Sequence, residues 1–363
     1  MEFDLAQIIK DAYNKAMNDR GHVNILIAGR SGVGKSTLIN SVFQGDFAAT
    51  GVGKPVTKDT REITKEGIPI SIFDSRGLEM ADFKETDEQL RKFVADRRNS
   101  NDPGRHIHLA WVCIAEDLRR VEEAEQDLVS RLSEFVQVVG VITKARSDQG
   151  FRQEVYKILP GLTNVIRVRA LREELDDGHV LEPMGLQDLM QHSMQLIPAA
   201  HQQAWAAAQK VDLDLKASQA HQAVATAALS AAGIAAAPIP FSDAVAIVPI
   251  QVAMIAGITA IFGLPLTSGF LSSLVVSVLG GGGGAIVGRT IATNLLKLIP
   301  GAGSIAGGAI GAATAAAITT ALGEAYIAAL HSLVFADPSR TPSEQEITAA
   351  FKSQFATALS AKL

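Results

Sequence analysis

The stretch VNILIAGRSGVGKSTLINSVF, residues 23–43, decides the fold. Its opening, VNILIAG, is a short continuous apolar run, the pattern of a strand buried on both faces. Its close, KSTLINSVF, predicts a helix. Between them stands Gly29-Arg30-Ser31-Gly32-Val33-Gly34-Lys35-Ser36, the GxxxxGKS spacing of a phosphate-binding loop set between a strand and a helix. Its glycines let the backbone turn tightly and bring its N–H groups onto phosphate oxygens, and the helix start adds a dipole that favours an anion. The pattern gives Lys35 the β- and γ-phosphates and Ser36 a Mg²⁺ ion.

Working outward, apolar strands alternate with amphipathic helices. Strands are expected at 62–74 (two, around a Glu66-Gly67 turn), 106–114, 136–143 and 164–170, and helices at 84–98, 119–135, 151–159 and 185–197. That alternation predicts an α/β domain with a mostly parallel sheet and helices on both faces. Residues 44–61 read as a polar loop. Upstream, Leu5, Ile8, Ile9 and Ala12 fall at helical spacing over residues 3–18, and Gly21 can end that helix.

The strand Ile70-Ser71-Ile72-Phe73-Asp74 ends in an acid and is followed by Ser75-Arg76-Gly77, the hhhhDxxG of a metal-side carboxylate with a glycine N–H for a γ-phosphate. Between the two motifs, a switch threonine is expected to meet Mg²⁺ and γ-phosphate; Thr57 is preferred and Thr60 is the alternative. After the strand at 136–143, Thr143-Lys144-Ala145-Arg146 occupies the place of a guanine-reading [NT]KxD. Lys144 would pack along the base, but Arg146 stands where the acid belongs. The strand end Val168-Arg169-Ala170 falls where a backbone N–H would touch the base.

The charge balance is 33 Lys+Arg against 38 Asp+Glu, net −5, which argues against a nucleic-acid partner. The single cysteine, Cys113, excludes an internal disulfide, a cysteine zinc site and a CxxC redox motif. It reads as core, in a reducing compartment. The N-terminus lacks the basic and apolar regions of a signal peptide. His106 and His108 alternate on one strand and read as structural. Arg97, Arg98, Arg119 and Arg120 read as solvated, or as arginine fingers supplied across a dimer.

These averages conceal a division. Residues 217–335 hold only four charged residues, Asp243, Arg289, Lys297 and Glu324. Residues 199–232 predict one long Ala/Gln-rich helix, and 237–241 breaks it. Residues 244–263 and 304–323 are long and apolar enough to cross a bilayer, with 266–280 borderline. Gly303, Gly307 and Gly311, and Gly284 and Gly288, repeat the GxxxG spacing that lets helices approach closely. The competing expectation is a soluble bundle of shorter helices between the proline and glycine breaks. Residues 341–359 predict a capped amphipathic helix. The expected division is an N-terminal helix at 1–21, an α/β domain at 22–198 and a hydrophobic helical domain at 199–363.

In order and spacing, the motifs of residues 22–198 resemble the translation-factor-class GTPases, and among them the Era/TrmE/septin-like group. The region 200–335 resembles a hydrophobic helical domain of unknown function found in bacterial GTPases and inner-membrane proteins. The resemblance implies a GTP/GDP site built from Gly29, Arg30, Ser31, Gly32, Val33, Gly34, Lys35, Ser36, Thr37, Asp74, Gly77, Thr143, Lys144 and Ala170. Mg²⁺ would be held by Ser36, Thr57 and Asp74, and catalysis would rest on Lys35 and Thr57. It departs in three places: Leu78 replaces a catalytic glutamine, Gly32 replaces the asparagine of potassium-activated relatives, and Arg146 replaces the base-reading acid. The expectation is a slow cytoplasmic GTP-hydrolysing switch. It would couple nucleotide state to a helical domain at membrane lipid of the inner membrane, with a nucleotide-dependent homodimer or oligomer. The alternative is a nucleotide-gated scaffold with a soluble bundle and little hydrolysis.

Overall fold

The computed structural model describes residues 7, 10, 11, 13–16, 20–43, 52–55, 60–65, 67–75, 83–235, 243–264, 267, 269–271, 274, 308–337 and 340–360. The chain packs as two compact units, one of residues 21–212 and one of residues 213–363 together with the N-terminal residues through Arg20.

In the first unit, strand β1 (Val23–Ala28) is buried along its whole length, as its apolar run requires. It runs parallel to β4 (Ile70–Ser75) on one side and β5 (Leu109–Ala115) on the other. Beyond β5 lie β6 (Val138–Thr143) and β7 (Asn164–Arg167), also parallel. Beyond β4, β3 (Thr60–Thr64) and β2 (Val52–Pro55) turn antiparallel. The order is β2-β3-β4-β1-β5-β6-β7. Gly67, at a φ of 80°, makes the β3–β4 turn. Helix α1 (Lys35–Val42) follows the phosphate loop. Helices α2 (Phe83–Arg98), α3 (Glu123–Leu132), α4 (Phe151–Ile158) and α5 (Leu186–Leu196) lie between or after the later strands. Leu90, Phe93, Val94, Leu128, Val129 and Leu132 of α2 and α3 close over one sheet face in a continuous apolar core. Cys113 is fully buried in β5.

Three features differ from the sequence reading. The expected loop at 44–61 contains β2 and the start of β3; β2 is an edge strand, where Pro55 is tolerated. A short antiparallel hairpin, β8 (Glu173–Glu174) and β9 (Val180–Leu181), intervenes before α5; two residues a strand are too few to show periodicity. The single helix expected at 199–232 is two helices, α6 (Gln202–Ala208) and α7 (Leu213–Ala235). The Gln209 side chain stops the first, accepting from the Val211 and Asp212 amides at 2.8 Å and donating to Asp212 O at 2.7 Å.

This break moves the unit boundary from Pro198 to Asp212. Trp205 on α6 is fully buried in the first unit, edge-on to Phe43 and Trp111, with Nε1 donating to Met190 O at 3.1 Å. Phe43, which follows α1, bridges to Gln209, and Lys210 N donates to Val42 O at 2.9 Å.

The second unit is helical. Helices α7, α8 (Asp243–Phe262), α9 (Gly308–Ala336) and α10 (Glu344–Ser360) pack around Tyr326 and Phe351. Pro249 lies inside α8. A Cβ on Gly323 would lie 2.4 Å from Val224, so α7 and α9 meet closely there. Polar side chains in this interior pair with one another: Thr259 with Tyr326 at 2.8 Å and Gln251 with Thr319 at 3.3 Å. Ser343 and Glu346 cap α10. Among the described residues, one segment, Ala315–Ala336, is long and apolar enough to cross a membrane by length and composition, and about half of its apolar stretch is buried within the protein. The expected span at 266–280 and the GxxxG pairs, apart from Gly311, fall wholly or mainly outside the described residues, as does most of the helix expected at 3–18.

Candidate nucleotide-binding site

The phosphate loop leaves the C-terminal end of β1. Gly29 has a φ of 143°, and a Cβ there would stand 2.4 Å from Cys113 O on the neighbouring strand. Only glycine lets β1 and β5 stay paired while the chain turns. Gly34, at a φ of 97°, caps α1 in the left-handed conformation. The Lys35 ammonium folds over the loop, donating to Gly29 O at 2.7 Å and Arg30 O at 3.0 Å. Val33 is buried, whereas Ser31, Gly32, Ser36 and Thr37 are exposed around the loop and first helical turn. Arg30 turns from the loop mouth to Glu122 at 2.5 Å, which Arg120 also meets at 3.0 Å.

Asp74 is in register with Ile27 on the adjacent strand, so parallel pairing delivers its carboxylate beside the loop. Its Oδ1 is buried without a hydrogen-bond partner. Burial pushes its carboxyl above the ordinary range, against the pull of Lys35 and Arg61. A buried, orphaned carboxylate oxygen near a phosphate loop fits a hydrated divalent cation, with the Ser36 hydroxyl as a second ligand. Thr57 and Gly77, like Leu78, lie outside the described residues. Thr60, the alternative switch threonine, is buried in β3 opposite Ser75.

The base side begins at the end of β6. Thr143 donates to Val33 O at 2.5 Å, fastening this strand end to the phosphate loop. Lys144 takes a left-handed φ of 53° and reaches Asp117 at 3.1 Å. Ala145 N donates to Val168 O at 3.1 Å, and Arg169 donates to Ala145 O at 2.8 Å, bringing the strand end that carries Ala170 alongside. Beneath the loop sits Glu116, 3% exposed. It accepts from Arg146 N at 2.5 Å, Ser147 N at 2.9 Å and Arg167 Nε at 2.7 Å. Burial works against its charge, but the Arg167 side chain and the two amides outweigh burial and hold the carboxyl below its ordinary range. Glu116 is invisible to sequence reading because its partners, two backbone amides and the Arg167 side chain, lie 30 to 51 residues away; an acid directly after a buried strand is the available signal.

The arginines read as solvated have partners. Arg97 lies 4.2 Å over the Phe73 ring, Arg98 donates to Glu134 O, and Arg119 donates to Ser147 O and Asp148 O. His108 accepts from Asn24 N at 2.9 Å inside the fold, and burial lowers its pKa to about 4. No group of three or more metal-binding side chains occurs among the described residues.

Residues 23–158 match the AIG1 family model, and residues 200–356 match DUF697, a domain of unknown function. The tRNA modification GTPase MnmE of Pseudothermotoga lettingae is 25% identical over 173 residues, covering 47% of this chain and 36% of that protein. Septin-9 of Rattus norvegicus is 25% identical over 164 residues, covering 38% and 29%. The chain thus spans well under half the length of these two relatives. Magnetosome membrane protein 22 of Magnetospirillum gryphiswaldense is 32% identical over 99 residues, covering 27% and 51%. Among solved structures, Toc33 from Arabidopsis thaliana in complex with Mg²⁺ and GMPPNP aligns at 16% identity over 52% of this chain and 90% of that one, with a TM-score of 0.34.

Proposed function

We propose a Mg²⁺-dependent GTP-hydrolysing switch whose helical unit associates with membrane lipid, starting from the match of residues 23–158 to the AIG1 family and of residues 200–356 to DUF697. The observation that carries the nucleotide part is the phosphate loop with Lys35 folded over it and the orphaned Asp74 oxygen beside it. Lys35 exchanges its two carbonyl partners for phosphate oxygens, and the loop amides and the α1 start hold the phosphates in place. Ser36, Asp74 and Thr57 hold the metal, and Gly77 offers its N–H to the γ-phosphate. Bound Mg²⁺ neutralises charge on the phosphates. Thr143 carries the state of the loop to the base side through Val33. Leu78 cannot polarise the attacking water, so hydrolysis is slow in the isolated chain and rises when a second copy or a lipid surface completes the site.

The membrane arm rests on the apolar segment Ala315–Ala336, the scarcity of charge from 217 to 335, and the likeness to a protein named for a membrane. One experiment tests both arms: liposome flotation of the full chain with GTP, GDP or no nucleotide, with phosphate release measured in the same samples and with EDTA. Nucleotide-dependent flotation and EDTA-sensitive release support the reading. Flotation in no state leaves the soluble scaffold, which Leu78 and Arg146 favour, and tighter binding of ATP than GTP refutes the guanine assignment.

A further inference from the structure

Arg146 holds the position that a guanine-reading loop gives to an acid, and its guanidinium lies on Glu173 of β8. Nε donates to Oε2 at 2.9 Å and Nη2 to Oε1. This is the fork in which two parallel N–H donors meet both oxygens of one carboxylate. The Watson–Crick edge of guanine carries the same donor pair, N1–H and N2–H, whereas adenine sets an acceptor beside its donor.

The fold keeps this carboxylate at the base loop. The Ala145–Val168 and Arg169–Ala145 bonds join the loop to the strand end from which β8 follows. The Arg169–Met184 bridge closes the base of the β8–β9 hairpin. Three neighbouring acids are committed elsewhere. Asp117 holds Lys144, Asp148 accepts from Arg152 N at the start of α4, and Glu116 is buried under the loop.

Resting on the guanine-nucleotide reading above, we propose that Glu173 is the specificity-determining carboxylate, accepting guanine N1–H and N2–H, and that Arg146 is its internal substitute, holding the same two oxygens until the base displaces it. The acid missing from the loop is then supplied by the hairpin, 27 residues further along the chain. Base binding becomes an exchange of one fork for another. Guanine is selected because it alone of the two purines matches the fork.

The test uses the full chain and measures affinities for GDP, ADP and xanthosine diphosphate, whose C2 carries an acceptor oxygen in place of the amino group. Glu173→Gln should weaken GDP roughly tenfold to a hundredfold. It should move the GDP-to-xanthosine preference by more than tenfold, and retained binding of xanthosine diphosphate shows that the site is folded. Glu174→Gln, the same charge removed one residue on, should leave the preference unchanged. Arg146→Ala should tighten GDP by removing the internal competitor. An unchanged preference in Glu173→Gln, an equal change in Glu174→Gln, or weaker GDP binding in Arg146→Ala overturns the proposal and leaves the parent reading intact. Failure of the unsubstituted chain to bind GDP overturns both.

Discussion

Glu116→Gln is the perturbation that best isolates how the base loop is held. Three donors converge on the native carboxylate, two of them the backbone amides of Arg146 and Ser147. Glutamine keeps the shape but offers one oxygen, so at least one donor faces an NH₂ group in a site only 3% exposed. Stranding a buried donor removes about 1–3 kcal/mol, and weakening a charged pair adds to it, so a loss of about 2–4 kcal/mol is expected. For a unit of this size that lowers the melting temperature by roughly 4–16 °C. The sign with pH follows from the lowered carboxyl. Its stabilisation is fully present above the ordinary glutamate value near 4.5 and is lost as pH falls through the lower folded value. Urea denaturation from pH 8 to pH 3 should therefore show a constant gap between parent and variant down to about pH 5, closing in acid. Hydrogen exchange should accelerate first at the Arg146 and Ser147 amides. A loss under about 0.5 kcal/mol, or a gap that stays constant into strong acid, would refute the account.

Trp205→Ala removes a fully buried indole packed edge-on against the stacked Phe43 and Trp111 rings, and should lower the stability of the first unit by about 3–5 kcal/mol in denaturant titration. Because Phe43 directly follows α1, nucleotide dissociation should also speed up. Asp74→Asn should separate stability from binding: burial raises the native carboxyl, so its penalty is absent in acid and complete above the raised value. At pH 7 the variant should be more stable by about 1 kcal/mol while its Mg²⁺-dependent nucleotide affinity falls, measured by thermal melting and titration. Lys216, buried on α7 with its ammonium on Ile261 O and Phe262 O, has a pKa lowered to about 7 by burial and, secondarily, by Arg20. The parent therefore gains stability from about pH 7 towards 10.5, and any advantage of Lys216→Met should shrink over that interval; an advantage that grows would contradict it.

The first unit was legible because its signals are local. The apolar run at 23–29 is short and bounded by glycine, which reads as a buried strand, and the glycines beside it do what the turn and the 2.4 Å approach to Cys113 O demand. The place of Asp74 at the end of a strand beside β1 was legible for the same reason, since its motif is contiguous. Glu116 and Glu173 were not, because each acquires its meaning from a backbone or side chain brought in by the sheet. The break at Gln209 was hidden in an alanine-rich run whose helical propensity is high throughout. A buried glutamine side chain overrode it. In the second unit, composition announced apolar helices without saying which faces meet, and Gly323 against Val224 is a fact of packing alone.

Helix α6 carries a consequence for how these two parts can be separated. The DUF697 match begins at residue 200, but Trp205 fills the interior of the GTPase unit. A chain cut where the DUF697 match begins would open an indole-sized hole beneath the phosphate-loop helix and hand the other fragment a tryptophan with nowhere to go. A crossover at residues 209–212 would leave both interiors whole. The division between the compact units, after Asp212, thus lies one helix inside the DUF697 match.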